Sequence, residues 1–297
     1  MLVTGRRYII IGLIIGVIAL SACGAELNRF QNDNIIDSVT LTNKGSDTIV
    51  NLALAWAEAY HVIYPNVSVS VTGGGSGTGI AAMINGTVDI ANASRKMKEK
   101  EITNAKENGF TLLEYVIARD GIAVIVNPQN PVNRLTLQQL SDIFSGKITN
   151  WVDVGGENRP IVCLSREVNS GTHVYFLDAV VRMGNKDDET FFAPSTLLLS
   201  SSVGITSEIS QNPNAIGYDG LGYVTNAVKT VAVSPNDLST YVVPSIETVI
   251  DNTYPISRSL YMYLPEKPTG YIKDYIDWIY SAEAQLIVEK LGFVPVN

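Results

Sequence analysis

The chain has 297 residues, 46% of them hydrophobic and 17% charged, with 21 basic residues against 29 acidic ones. That balance fits a folded globular protein and excludes a disordered one. The acidic surplus argues against a nucleic-acid partner, and two histidines and two cysteines without ligand spacing argue against a transition-metal enzyme.

Arg6 and Arg7 precede an apolar run from Tyr8 to Leu20, after which small residues lead to Cys23. The apolar core is short for a membrane span, and the order basic, apolar, small is that of an export signal. Residues 1–22 are therefore expected to be a signal peptide and the polar residues 23–37 a tether. Removing 1–22 takes away two arginines and no carboxylate, which leaves 19 basic residues against 29 acidic ones, a net charge of −10. Any anion site must then rest on local dipoles and a few arginines, because the global field repels anions. The tetrapeptide Leu20-Ser21-Ala22-Cys23 resembles the lipobox of bacterial lipoproteins, which implies a lipid on Cys23.

Next, SVTLTN reads as a strand, GSDT as a turn with capping side chains, and TIVNLALAWAEAY as a helix with Ile49, Leu52, Ala53, Trp56 and Tyr60 on one face. VSVSV alternates as a strand, the glycine loop follows, IAAMIN is a helix stopped near Gly86, and VDIAN is a strand ending in Ser94-Arg95. YVIARDGIAVIVNP is a long β run broken at Arg119-Asp120-Gly121, and LTLQQLSDIFSGKITNW is a helix closed at Gly146. PIVCLSREVNSGTHVYFLDAVV gives a strand, a polar loop and an amphipathic helix, with the unpaired Cys163 as a small buried hydrophobe. AIGYDGLGYV reads as a glycine-broken turn, ISRSLYMYLP as a second long β run, and GYIKDYIDWIYSAEAQLIVEKLGF as one or two closing helices. This alternation predicts two α/β lobes, each a mainly parallel sheet flanked by helices, joined by crossing strands near 115–122 and 253–262. The expected division is 38–118 plus 258–297 for lobe 1 and 119–257 for lobe 2.

Three strand-to-helix loops carry the same chemistry: Gly45-Ser46-Asp47-Thr48, Ser76-Gly77-Thr78-Gly79 and Ser170-Gly171-Thr172. A helix start presents unpaired N–H groups and about half a positive charge, so anions settle there. Serine and threonine add hydroxyl donors, and glycine lets the backbone come close. With Arg95 and Arg166 ending nearby strands, the set points to a small tetrahedral oxyanion. A nucleotide is excluded, because Ile80 stands where a Walker loop needs lysine and the third glycine of a dinucleotide fingerprint is replaced by Met83.

The segments GSDTIVNLALAWAEAY, GGGSGTGIAAMINGTVDIANASR, SREVNSGT, AIGYDGLGYV and GFVPV resemble, in order, those of the substrate-binding lipoproteins of bacterial ABC phosphate importers. The resemblance implies a type II periplasmic-binding-protein fold that closes on inorganic phosphate and hands it to a membrane permease. It implies a monomer held by its lipid on the extracytoplasmic face, with no cofactor, no metal and no enzymatic activity. It assigns phosphate binding to Ser46 and Thr48, to Ser76 with Gly77, and to Arg166, Ser170, Gly171 and Thr172. One departure stands out: where some members carry an aspartate after the serine of the third strand, this chain has Arg95. Asp47 is the expected substitute that selects protonated phosphate over sulfate, with Arg95 as its charge partner or as a direct ligand.

Other readings are weaker. A receptor for sulfate, molybdate or tungstate shares the same loop chemistry. A hydrolase would need a nucleophile elbow, but GGSGT at 74–78 is one residue short of it, and His173 is expected on a helix surface. A phosphatase would need metal ligands, which Asp89 and Asp219 lack in sequence. Fourteen tyrosines would suit an adhesin, yet the spacing of YMYL is that of core.

Overall fold

The computed structural model describes residues 38–296. The expected signal peptide, the lipidated Cys23 and the tether lie outside the described residues.

Strand β1 (Val39–Gly45) alternates buried and half-buried positions, and helix α1 (Asp47–Ile63) buries the expected stripe of Ile49, Leu52, Ala53, Trp56 and Tyr60. The Trp56 indole donates to the Ala284 carbonyl at 2.9 Å, which ties the start of the fold to its end. β2 (Val67–Thr72), α2 (Ser76–Ile84), β3 (Ile90–Ala93) and α3 (Glu99–Glu107) follow, with α2 ending before Gly86 at φ +65°. β1 pairs in parallel with both β2 and β3, as strands joined by helical crossovers do.

β4 (Leu113–Val126) runs unbroken through Arg119-Asp120-Gly121, so the expected interruption does not occur. A side chain at 121 would lie 2.8 Å from both Leu221 and Val249, and Asp120 has a buried partner of opposite charge; both residues belong to a packed strand, not a turn.

The second half then adds β5 (Arg134–Thr136), α4 (Leu137–Phe144), β6 (Val162–Arg166), α5 (Gly171–Phe176), β7 (Leu197–Leu199) and α6 (Ser202–Gln211). α5 passes into a π-helical turn over Leu177–Val181. β8 (Ala215–Gly220) is fully buried, which corrects the reading of AIGYDG as part of a turn: small residues there admit the close approach of Ile205 and Ile209. β9 (Lys229–Thr230), β10 (Ala232–Ser234), α7 (Ile246–Ile250), β11 (Ser257–Leu264), α8 (Gly270–Ile279) and α9 (Ala282–Lys290) complete the described chain.

The main sheet has the order β2-β1-β3-β11-β4-β8-β6-β7. Its outer pairs are parallel, while β11 and β4 run antiparallel to their neighbours and to each other. Those two are the long strands that link the halves. The core changes along them: Ile117, Ala118 and Leu260 pack with Trp56 and Tyr60, whereas Ile122, Val124 and Ile256 pack with Phe144 and Phe176. The fold is the two-lobed α/β architecture expected. Among the described residues no helix is long and apolar enough to cross a membrane.

Candidate functional site: three helix starts and their arginines

The starts of α1, α2 and α5 meet. The Thr48 and Thr172 hydroxyls, from opposite halves, are bonded at 2.9 Å. Gly171 lies so close to the first half that a Cβ there would sit 2.3 Å from the Ser76 Oγ and 2.4 Å from the Ser94 Oγ. Only glycine permits that approach. Ser46, Thr48, Ser76, Ser94, Ser170 and Thr172 are all buried, although hydroxyl residues usually face water.

Local sequence explains each loop. Gly45, at φ +146°, presses against Asn92, and the Ser46 amide donates to the Asn92 carbonyl at 3.0 Å. Ser46 is the N-cap of α1 yet makes no side-chain cap bond, which leaves its hydroxyl and the first amides of the helix for another acceptor. Ser76 opens α2 behind Gly75, and its Oγ accepts from the Ser94 amide at 3.0 Å. Ser170 caps α5, its Oγ accepting from the amides of Thr172 and His173. Gly77, in the α2 start, donates its amide to the Asn169 carbonyl at 3.0 Å, and the Asn169 amide returns a bond to the Gly74 carbonyl at 2.9 Å.

The arginines are each matched to a carboxylate. Arg166 is buried and donates from Nη2 to Asp47 at 2.7 Å and to the Ser200 carbonyl, from Nη1 to Ser202, and from Nε to the Leu199 carbonyl. The fork expected to grip an anion is thus engaged across the halves with Asp47. Asp47 also accepts from the Gly74 amide at 2.8 Å, and its carbonyl accepts from the Tyr223 hydroxyl at 2.6 Å. The expected Asp47–Arg95 pairing does not form. Arg95 makes a two-pronged pair with Glu101 at 2.7 and 2.8 Å, because Arg95 lies just past the end of β3 and Glu101 sits in the first turn of α3 that follows. Although burial works to raise the Glu101 pKa, hydrogen bonds from Arg95 and the Lys98 amide hold it below the ordinary value.

Sequence reasoning missed Arg258. From the start of β11 its Nη2 donates to Thr48 at 3.3 Å, to Thr172 at 3.0 Å and to Asp120 at 3.0 Å, so it touches two of the three loops. Asp120 is fully buried, and burial pushes its pKa up to about 6 against the opposing pull of Arg258. The strand register sets Arg258 directly across from Asp120. A second buried carboxylate, Asp219 at the end of β8, accepts from Ser202, which in turn accepts from Arg166; burial raises its pKa as well. One signal was present in sequence: Arg258 is the single charge inside the second long β run, and a charge buried in a strand demands a partner.

His173 is buried, not on a surface. Its Nδ1 is bonded to the Ser165 hydroxyl at 3.0 Å, its ring lies 4.7 Å from that of Phe192, and burial lowers its pKa. Asp89 accepts from the Thr42 amide and hydroxyl at 2.7 Å, a structural task. No group of three or more potential metal ligands occurs among the described residues. The chemistry on offer is therefore recognition by hydroxyls, helix-start amides and paired guanidinium groups.

A two-lobed α/β sheet whose helix starts converge between its halves defines a binding protein of the periplasmic type. The chain belongs to the PBP superfamily: the model of the PBP superfamily domain matches residues 34–283. It is 32% identical to the phosphate-binding protein PstS of Pseudomonas aeruginosa, an alignment that covers 94% of this chain and 89% of that protein. It is also 32% identical to PstS of Bacillus subtilis, with 93% and 89% covered. Among solved structures it resembles a Clostridium perfringens protein with bound phosphate, described as a phosphate ABC transporter substrate-binding protein, at 37% identity and TM-score 0.77, covering 87% of this chain and all of that one. An ABC-type phosphate transport receptor from Vibrio cholerae matches at 30% identity and TM-score 0.69, covering 86% and 99%.

Proposed function

We propose that this protein is the extracytoplasmic receptor of an ABC importer, a non-enzymatic monomer that captures inorganic phosphate between two lobes and delivers it to the permease. The observation that carries the reading is the meeting of three buried helix starts from both halves, marked by the 2.9 Å bond between Thr48 and Thr172. The phosphate-binding names of relatives that cover nearly the whole chain support the same ligand.

In this reading the lobes are residues 38–118 with 258–297 and residues 119–257, hinged on β4 and β11. Ser46, Thr48 and Ser76 present donors from the first lobe, with Gly77 holding the start of α2 against Asn169, and Ser170, Gly171 and Thr172 present donors from the second. The anion replaces its water by these fixed dipoles, and Arg258, neutralised by Asp120, adds a charge-assisted donor from the hinge. Because donors come from both sides, binding favours the closed form by its differential affinity for it. Arg166 acts here with Asp47 as a bridge between lobes, and Arg95 with Glu101 at the rim. A lipid on Cys23 keeps the receptor beside the permease, although one acyl chain alone is a marginal anchor.

Competition calorimetry with phosphate, sulfate, molybdate and tungstate tests the ligand. Phosphate is expected to bind one to one and to displace the others; preference for any of the other three refutes the assignment. Asp47 is proposed to reject sulfate, since an unprotonated oxyanion leaves the Asp47 carboxylate facing a second acceptor. The Asp47→Asn variant is expected to narrow the phosphate-over-sulfate ratio by at least about tenfold. An unchanged ratio with weaker binding of both anions assigns Asp47 to the Arg166 bridge alone.

A further inference from the structure

The tail GFVPV, residues 292–296, follows the closing helix of the first half but does not stay within that half. Phe293 packs in the core that holds Trp56, Tyr60, Ile117 and Leu260. Val294, the next residue, packs in the core that holds Ile122, Tyr254 and Ile256. Each is only 2% exposed, so two consecutive side chains are anchored in the cores of opposite halves.

The backbone of the tail is fastened at the same place. Arg119 of β4 donates its amide to the Val294 carbonyl at 2.8 Å and accepts from the Val294 amide at 2.9 Å. Arg119 faces Ser259 of β11 across one edge of β4, so Val294 takes the other edge, the one that β8 occupies from Ile122 onward. β4 thus passes from one half to the other with a partner on each side. Gln285 of α9, buried, adds a second tie: its Nε2 donates to the Ile117 carbonyl at 3.3 Å, and its Oε1 accepts from the Val296 amide at 3.0 Å. The register of β11 on β4 passes over Ile117, so this tie lands where the two long strands pair irregularly. From the second half Gly222 presses on the tail, since a Cβ there would lie 2.6 Å from the Leu291 carbonyl and 2.9 Å from the Phe293 ring.

A third pinned segment restricts a joint of two strands, and the restriction falls unequally on the open and closed forms. In the closed form the bonds of Thr48 to Thr172 and of Gly77 to Asn169 already hold the halves, so the tail removes little freedom there. In the open form those bonds are broken, and the tail removes motions the joint would otherwise have. Taking conformational freedom from the open form favours the closed one.

We infer that the GFVPV tail is a third hinge segment, in which Val294 is a positioning residue that sets the share of closed molecules and through it the affinity for phosphate. The inference rests on the proposed function in taking phosphate as the anion that closes the halves. The test compares the full chain with Val294→Ala and with Val288→Ala, a control for lost packing, because Val288 is fully buried in the core of the first half alone. Val294→Ala is expected to bind phosphate about fivefold or more weaker in calorimetry. In the ligand-free protein its Gly77 amide, bonded across the halves to Asn169, is expected to exchange with solvent about fivefold or more faster by NMR. Val288→Ala is expected to lower the melting temperature and to leave both readings within about twofold of wild type. Gln285→Leu, which releases Val296 from the hinge, is expected to move both readings as Val294→Ala does, and it carries the comparison if Val294→Ala does not fold. The inference is overturned if either reading of the tail variant matches that of Val288→Ala. Should wild type bind no phosphate, the reading of the ligand falls, and Gly77 exchange in the ligand-free chains decides for or against the tail by itself.

Discussion

Gly171 offers the sharpest test of the closed arrangement. Alanine at this position would place its methyl group 2.3 Å from the Ser76 Oγ, 2.4 Å from the Ser94 Oγ and 3.1 Å from the Ser76 Cβ. Those atoms belong to the opposite half and are tied to each other, the Ser76 and Ser94 hydroxyls at 3.2 Å and the Ser94 amide to Ser76 at 3.0 Å, so neither side chain swings away freely. Overpacking of this kind costs about 1–3 kcal/mol. Within its own helix the substitution is harmless, since alanine exceeds glycine as a helix former by up to about 1 kcal/mol. The cost therefore falls on closure and not on folding. Phosphate affinity should drop about 5- to 150-fold in calorimetry, while the melting temperature without phosphate stays the same or rises. A Gly171→Ala protein that binds phosphate within twofold of wild type refutes the contact across the halves. A fall in ligand-free stability as large as the loss in affinity refutes the claim that the contact belongs to closure.

Three further outcomes follow from the same geometry. Arg258→Met removes a cation that touches two loops, and loss of a charge-assisted bond worth about 1.5–3 kcal/mol should weaken phosphate roughly 10- to 150-fold, with Arg258→Lys in between; equal affinity in all three excludes Arg258 from the site. The fold favours the protonated form of Asp120, whose pKa burial raises to about 6, so its contribution to stability is full below the ordinary carboxylate range and is lost as pH rises through about 6. At 1.36 kcal/mol per unit that is about 3 kcal/mol, and urea midpoints of wild type should fall between pH 4 and 6 relative to Asp120→Asn, whereas parallel profiles would contradict it. Burial also pushes the Cys163 thiol up to about 12, so a mass-spectrometric peptide map should find Cys163 unlabelled by iodoacetamide in the folded chain and labelled in urea, and labelling at equal rates contradicts its burial.

Much of this fold is written in short-range patterns. The stripe from Ile49 to Tyr60 in α1 needs only a period of 3.6, and the three serine-glycine loops announce helix starts by their own chemistry. What the sequence withholds are facts of register and of pairing across the halves. Arg258 and Asp120 are 138 residues apart, and only the antiparallel register of β11 on β4 sets them opposite each other. Arg166 closes on Asp47 at a separation of 119 residues, so a motif reading that sees a free guanidinium next to a serine-glycine-threonine loop has no means of seeing the carboxylate already waiting for it. His173 departs from its expected surface position for a similar reason: one turn of α5 sends it outward by local pattern, but Ser165 and Phe192 come from segments that the pattern does not contain.

The pairing of every arginine near the loops bears on how an acidic protein holds an anion at all. Arg166 has Asp47, Arg258 has Asp120 and Arg95 has Glu101, so the guanidinium groups bring no net charge to the site. Three unpaired arginines in so dry a place would repel one another whenever the ligand was absent, and burying them without counter-charges is costly. Pairing removes that cost and leaves attraction to oriented dipoles: the amides that open α1, α2 and α5 and the hydroxyls of Ser46, Thr48, Ser76 and Thr172. One of these pairs does more than neutralise. Asp47 belongs to the first half and Arg166 to the second, so their 2.7 Å bond exists only when the halves meet, together with the bonds of Asn169 to Gly74 and Gly77 and of Tyr223 to the Asp47 carbonyl. Such contacts favour the closed form whether or not the loops hold an anion. Because apparent affinity scales with the fraction of molecules competent to bind, a latch that is too strong would trap the closed form and one that is too weak would waste ligand energy on closing it. Asp47 keeps 19% of its side chain exposed while Arg166 is buried, so solvent screens one side of the ion pair that joins the halves.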